Sequence, residues 1–320
     1  MTRSVAMVFL LLASAPPNAP SPFTFRAGFW NNLHHFLYVL GRARNGEPDS
    51  RREAVARAPE DVGGLAERPE ADRQAWEEAV RFYAGGLSKQ DLVFDKSLID
   101  TTRILAEVAD DSDLRGAPLD PALTETLRRA APVYRAVWWP RQSRADAARQ
   151  RDLEQQLAAH GAAAVRRLTS IYGTAWPAQP RVVNLSAYTN WAGAYSTDGG
   201  LIVFSSTDDA LVGSAGLEIL LHESSHQWDD EIEGRLRRIA DAHGTRVPRD
   251  LSHMLIFYTS GEVVRELISG YVPYAIKNGV WDRGSFRGAK PILDSYWRPY
   301  LQGTGTFDEA VAAMLAHMRQ

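Results

Sequence analysis

The sequence has no cysteine among its 320 residues. This absence excludes disulfide bonds, thiolate nucleophiles and zinc sites with cysteine ligands. It does not decide the cellular compartment, since many exported proteins also lack cysteine. With 45% hydrophobic residues, the chain is globular and long enough to bury one large core or two smaller ones.

The chain also lacks a strong excess of charge of either sign. Its formal net charge is −3, from 36 basic and 39 acidic residues. The basic cluster Arg235-Leu236-Arg237-Arg238 is flanked by acidic residues, so a solvated helix face explains it better than a binding patch does. The composition therefore gives no electrostatic case for a nucleic-acid partner, and we expect none.

The apolar run Val5–Leu12 is too short to span a bilayer in the ordinary way. Arg3 before this run and Ala13-Ser14-Ala15 after it give the pattern of a bacterial export signal. Pro16 would follow the cut directly, where signal peptidase tolerates proline poorly, so the cleavage point stays open. We expect an exported protein, periplasmic or secreted, with no stable membrane span unless an uncleaved signal tethers it. The alternatives are a hydrophobic N-terminal strand or helix and a misassigned start codon.

Hydrophobic periodicity and turn residues divide the chain near residues 22 and 175. Residues 1–22 hold the export signal and a linker, and residues 23–175, called here the helical region, show helical periodicity almost throughout. Residues 176–320 begin with strand-like segments, so we predict an α+β fold that is predominantly helical and has a small sheet. The predicted helices are 29–41, 70–85, 91–109, 121–137, 141–172, 214–242, 250–269 and one from about 307, and the predicted strands are 181–186, 191–195 and 201–205.

The most informative feature is the HExxH pentad His222-Glu223-Ser224-Ser225-His226. On a helix its two histidines lie one turn apart on one face, so both rings can reach one metal ion, as tetrahedral Zn²⁺ requires. Glu223 lies about 100° around the helix from His222, close enough to act on a water molecule at the metal without being a ligand. The alternative is two ordinary histidines on a half-buried helix, where their desolvation would be costly unless something satisfied them.

A catalytic zinc ion usually has three protein ligands, and the pentad supplies two. Later candidates for the third are His243, His253, Glu262 and Glu266. Glu262 and Glu266 share one helix face, which favours Glu262 as the ligand and Glu266 as a partner that orients a ligand histidine, most simply His222. The other candidates remain alternatives.

The pentad together with Glu262 resembles the gluzincins, zinc metallopeptidases that combine HExxH with a glutamate on a second helix. The resemblance covers roughly Val182 to Ser269. In thermolysin-like members an acidic residue follows the ligand glutamate after four positions, as Glu266 follows Glu262 here. The thermolysin Asn-Glu signature and the aminopeptidase GxMEN motif are missing, since the strand reads Asn190-Trp191-Ala192-Gly193-Ala194-Tyr195. The resemblance implies a zincin-like domain over 176–320, with the subfamily and endo- or exopeptidase action left open.

The resemblance also implies a chemistry, namely zinc-dependent hydrolysis of a peptide or protein substrate with Glu223 as the general base. Gluzincins use a tyrosine or histidine to stabilise the oxyanion. His253 and Tyr258 are the candidates for this role, with Tyr271 behind them. Simple packing is the alternative role for Tyr258.

Two other function classes compete with a peptidase. One is a metal-dependent hydrolase of a non-peptide amide or ester, and the other is a non-catalytic binding protein that contains a metal. Glu223 argues against the second, because closed structural zinc sites fill all four positions with protein ligands. His34 and His35 point about 100° apart on a helix and cannot chelate one ion well, so at most they would line a cleft.

Overall fold

The computed structural model describes residues 21–46, 59–197 and 200–318. The predicted export signal lies outside these residues. The described chain is mostly helical and contains one small sheet, as the α+β prediction requires. No described helix combines the length and the apolar character needed to cross a membrane.

The elements are numbered here in chain order. The strands are β1 (Phe23–Arg26), β2 (Arg181–Ser186), β3 (Ala194–Ser196) and β4 (Ile202–Ser205). The α-helices are α1 (Phe29–Arg44), α2 (Pro59–Ala66), α3 (Glu70–Gly85), α4 (Lys96–Glu107), α5 (Pro121–Val137), α6 (Trp139–Gln156), α7 (Ala162–Tyr172), α8 (Ser214–Ser225), α9 (Asp229–Ala242), α10 (Leu251–Leu267), α11 (Tyr274–Lys277), α12 (Lys290–Ile292), α13 (Arg298–Leu301) and α14 (Phe307–His317).

The sheet has the strand order β1-β2-β4-β3, in which β1, β2 and β4 run parallel and β3 pairs antiparallel with β4. The first strand was not predicted, because its four residues precede an aromatic run that reads as helix. Phe23 of β1 pairs with Arg181 of β2, so the sheet spans the predicted boundary near residue 175. β3 is shorter than predicted, since Gly193 before it has φ +83° and turns the chain.

Each face of the sheet is covered by a different hydrophobic core. Side chains alternate along β4, as strand geometry requires. Ile202 and Phe204 enter the core shared with α8 and α10, whereas Val203 enters the core shared with α1, α3 and α5. The sheet therefore lies between α1, α3 and α5 on one face and α7, α8 and α10 on the other, so part of the helical region packs on the same side as the helices that follow it.

Several predicted helices differ from the observed ones in detail, and the helix predicted over 91–109 begins only at Lys96. Gly41 was expected to end the first helix, but α1 continues to Arg44. A Cβ atom at Gly41 would lie 2.8 Å from the backbone nitrogen of Ala84, so this glycine allows α1 and α3 to approach closely. The predicted helix 141–172 contains a π-helical turn, Leu157–Gly161, between α6 and α7.

Candidate metal centre

The HExxH pentad lies where a helix was predicted, but that helix is interrupted. α8 ends at Ser225, a single 3₁₀ turn covers His226–Trp228, and α9 begins at Asp229. The first turn of α9 contains three acidic residues, which favour a new helix start through the positive end of the helix dipole. The two histidines still face each other, with their Nε2 atoms 3.4 Å apart.

His253 is the third member of the cluster. It lies in the first turn of α10, and its Nε2 atom is 3.2 Å from that of His222. The nitrogen atoms that His222, His226 and His253 offer all lie within 4.8 Å of one another. The three side chains can therefore hold a metal ion between them.

Glu262, the predicted third ligand, does not reach this cluster. It lies nine residues after His253 on α10, which corresponds to about 13 Å along a helix axis. Its carboxylate forms ion pairs with Arg265 and, at 3.6 Å, with Arg298. The neighbouring Gly261 packs against Glu218, one turn before His222 on α8. The antiparallel course of the two helices thus brings His253, and not Glu262, to the pentad.

Glu266 also has a different role from the one predicted. Its carboxylate is 3.0 Å from Nε of Arg167, and its side chain is 58% exposed. The carboxylate that contacts a cluster histidine is Asp229, whose Oδ2 lies 2.8 Å from Nδ1 of His226. In this pairing Nδ1–H donates to the carboxylate, which leaves the Nε2 lone pair directed at the cluster.

The two tyrosines proposed for oxyanion stabilisation donate to carboxylates elsewhere. The Tyr258 hydroxyl donates to Asp294 at 2.6 Å, and the Tyr271 hydroxyl donates to Glu218 at 2.7 Å. His253 belongs to the cluster itself. His243, an alternative ligand, lies at the end of α9 with Nδ1 2.8 Å from the carbonyl oxygen of Ile239.

Glu223 is buried beside the cluster and is held by the sheet. Its Oε2 atom accepts a hydrogen bond of 2.8 Å from the hydroxyl of Ser196, the last residue of β3. The backbone N–H of Ser196 also contributes. Burial raises the pKa of Glu223, while the charge of His226 and the hydrogen bonds from Ser196 oppose this rise.

The protonation states of the histidines suit metal binding. Burial, reinforced by the other two imidazoles, keeps the pKa of His222 well below its usual range. Burial and the charge of His226 lower the pKa of His253 to about 4. Burial would also lower the pKa of His226, but Asp229 and Glu223 outweigh it and raise this pKa. His222 and His253 are therefore neutral at neutral pH, which is the form that binds metal.

Aromatic rings form one side of the cluster. The ring of Phe257 lies 4.2 Å from that of His222, and the ring of Phe286 lies 5.3 Å from that of His253. Trp281 packs against Phe286 at 5.6 Å. This apolar side limits the rotation of the imidazoles and keeps water from them.

His34 and His35 lie within the core of the helical region and do not line a cleft. Both are fully buried. Nδ1 of His34 is 2.8 Å from the Tyr83 hydroxyl, and Nε2 of His35 is 2.8 Å from the Tyr195 hydroxyl.

No family model, curated protein or solved structure matches this chain. The site therefore has to be interpreted from its own geometry. Two of its residues were missed by the sequence analysis. Asp229 could have been found from the sequence, because it is a carboxylate three positions after His226 within a predicted helix. Ser196 had none, because it lies 27 positions before Glu223 on a separate strand.

Proposed function

We propose that this protein is a zinc-dependent hydrolase that cleaves peptide bonds in peptide or protein substrates. The observation that carries the proposal is the convergence of three imidazole Nε2 atoms beside a buried glutamate. An HExxH helix with such a cluster supplies both parts of the chemistry, a metal site and an adjacent base. The third ligand is then His253, in place of the glutamate that a resemblance to gluzincins implies.

The distances between ring nitrogens fit zinc. With Zn–N bonds of about 2.0–2.1 Å and tetrahedral angles, two ligand nitrogens stand about 3.3–3.4 Å apart. The Nε2 atom of His222 lies 3.4 Å from that of His226 and 3.2 Å from that of His253. Three imidazole nitrogen donors also suit zinc better than magnesium or calcium, which prefer oxygen ligands.

The number of ligands supports a catalytic ion over a structural one. Structural zinc sites fill all four positions with protein groups, whereas catalytic sites keep one position for water or substrate. Within the described part of the chain, the cluster comprises three ligand side chains. Glu223 stands beside them without being one of them, and a closed site would have no use for it.

A bound zinc ion would supply Lewis acidity, which polarises the scissile carbonyl and lowers the pKa of a nearby water molecule. Glu223 would accept a proton from the attacking water and pass it to the leaving amine. Its burial supports the first of these steps, because a raised pKa makes the carboxylate a stronger base. The Ser196 hydroxyl fixes the direction of the carboxylate during these transfers.

The position of β3 favours a peptide substrate. This strand is at the edge of the sheet and pairs on one side with β4. The other side of an edge strand can bind an extended peptide through main-chain hydrogen bonds, and within β3 the partly exposed residue is Ser196, since Ala194 and Tyr195 are buried. Because Ser196 of β3 contacts Glu223, a peptide aligned along this edge would pass beside the metal cluster.

The test uses the full-length protein, expressed with zinc, stripped by a chelator and reloaded. We expect about one zinc per chain and cleavage of an unbiased peptide library by the loaded form only. Zinc with hydrolysis of small amides or esters but not of peptides would indicate the non-peptide hydrolase instead. Zinc without either activity would indicate a binding protein. Absence of zinc after zinc-replete expression would refute the proposal.

A further inference from the structure

A buried hydrogen bond joins the helical region to the strand that holds Glu223. Nε2 of His35, on α1, lies 2.8 Å from the hydroxyl of Tyr195, on β3, and both side chains are buried. Nδ1 of His35 lies 2.8 Å from the carbonyl oxygen of Asn31. A carbonyl only accepts, so Nδ1 carries the proton and Nε2 accepts from the tyrosine hydroxyl. Burial lowers the pKa of His35 to about 4, so this arrangement persists at neutral pH.

Tyr195 and Ser196 are neighbours in β3 and therefore point to opposite faces of the sheet. Tyr195 enters the core of the helical region. Ser196 reaches the other side and donates its hydroxyl to Glu223. The position of one side chain thus determines the position of the other, across the thickness of the sheet.

Besides the Tyr195 side chain, β3 is held in register by backbone hydrogen bonds at both of its ends, from Ser205 N–H to the Gly193 carbonyl and from Thr197 N–H to the Leu201 carbonyl. It consists of three residues, Ala194–Ser196, and pairs with a single strand, β4. A slip of one residue would exchange the two faces and remove Ser196 from Glu223. Short edge strands depend on their side-chain contacts to prevent such slips.

We propose that Tyr195, held by His35, is a positioning residue for Glu223. Its buried hydroxyl fixes β3 so that the hydroxyl and N–H of Ser196 hold the carboxylate toward the metal cluster. The helical region then serves the site as a scaffold for the catalytic strand. This inference rests on the proposed hydrolase function, in which Glu223 is the base.

The chain offers a closely matched control one residue earlier in α1. Nδ1 of His34 lies 2.8 Å from the hydroxyl of Tyr83, on α3, and both side chains are fully buried. This hydrogen bond joins α1 to α3 within the helical region, and the His34 ring lies 5.3 Å from that of His35. Tyr83→Phe and Tyr195→Phe each remove one buried hydroxyl and leave one buried imidazole nitrogen without its partner, and Tyr195→Phe also removes an interaction with Thr102. Tyr83→Phe therefore controls for the general cost of losing such a hydrogen bond.

The first measurement compares kcat and KM for both variants on a peptide cleaved by the wild type. Tyr195→Phe should lower kcat roughly 10-fold with KM and zinc content unchanged, less than the roughly 10²-fold cost of a 1 Å misplacement. Tyr83→Phe should leave kcat within about twofold of the wild type, as expected of a change distant from the reacting groups. Equal effects of the two variants on kcat would overturn the proposal.

A double-mutant cycle tests whether Tyr195 acts through Ser196. Ser196→Ala should lower kcat by itself, and Tyr195→Phe should then add little in the Ser196→Ala background. Additive effects would show that Tyr195 acts by another route and would overturn the proposal.

Hydrogen exchange provides a measurement that does not depend on activity. Loss of the Tyr195 hydroxyl should speed exchange of the Ala194–Ser196 amides on the order of 10-fold, whereas Tyr83→Phe should not change it. Unchanged amide exchange in Tyr195→Phe would overturn the proposal that the Tyr195 hydroxyl anchors β3, even if the protein proves to be a peptidase. Faster exchange in Tyr195→Phe, together with a wild-type protein that shows no hydrolase activity, would support the anchoring and refute the proposed function.

Discussion

The Nε2 atoms of His222 and His253 lie 3.2 Å apart, although 31 positions separate the two residues in the chain. The contact joins the end of α8 to the start of α10. Phe257, one turn after His253, packs its ring 4.2 Å from that of His222 and keeps the two helices in this alignment. The candidate metal centre therefore depends on how two helices pack as well as on the HExxH pentad.

His253 should matter far more for metal binding than Glu262. His253→Ala removes one of three converging nitrogens, so zinc affinity should fall by more than the roughly 10–100-fold typical of an outer hydrogen-bond partner. Glu262→Ala, a matched change on the same helix, removes only the partner of Arg265 and Arg298 and should leave the affinity unchanged. Competition with a chromogenic chelator measures both values. The opposite ranking would return Glu262 to the role of ligand.

The pentad was predictable because its geometry is local. Residues four apart on a helix face the same way whatever the rest of the chain does. The candidate third ligand, His253, was not local in this sense. Glu262 and Glu266 formed a suggestive pair, but Arg265, Arg298 and Arg167 neutralise them, and only the fold reveals these partners.

The same distinction applies to the fold. The helix 121–137 was predicted because its start signal is local, with Pro121 in the first turn and the Asp120 carboxylate accepting from the N–H of Leu123. β1 was missed because its four residues carry no pattern of their own. They form a strand by pairing with β2, more than 150 residues later.

Replacement of Glu223 by Gln should abolish most turnover and leave the metal in place. The amide keeps the size of the side chain and one acceptor oxygen, which can still accept the hydrogen bond from Ser196. It cannot take up a proton, so we expect kcat to fall by a factor on the order of 10² or more. Zinc content, measured by elemental analysis, should equal that of the wild type. Wild-type turnover in this variant would exclude Glu223 as the base.

Asp229 should tune the metal site through His226. Asp229→Asn removes the charge that orients Nδ1–H of His226, and losses of such partners typically cost roughly 10–100-fold in metal affinity. Asp230→Asn removes a neighbouring exposed carboxylate from the same helix turn and serves as the control. Both zinc affinities can be measured by chelator competition. Equal values in the two variants would show that Asp229 affects zinc only through its negative charge and not through its hydrogen bond to His226.

Asp146 gives the protein a stability that depends on pH. This residue of α6 is fully buried, and neither carboxyl oxygen makes a well-formed hydrogen bond, although Ser206 and Asn32 lie close by. Burial raises the pKa of Asp146 from 3.8 to about 7, with Ser206 and Asn32 opposing part of the rise. The folded state therefore binds the proton more tightly than the unfolded chain does, and the free energy of unfolding should decrease as pH rises from about 4 to about 7.

Asp146→Asn should remove this dependence, since the amide resembles the protonated acid and does not ionise. The free energy of unfolding of wild type and variant should be compared by urea denaturation at pH 5 and pH 8. Glu218, whose pKa burial also raises to about 7, contributes to both proteins, so the difference between them isolates Asp146. Because about 2 of the roughly 3 pKa units of this rise lie above pH 5, the variant should gain up to about 3 kcal/mol relative to the wild type between the two pH values. A constant difference at both pH values would mean that Asp146 is already ionised in the folded protein at pH 5.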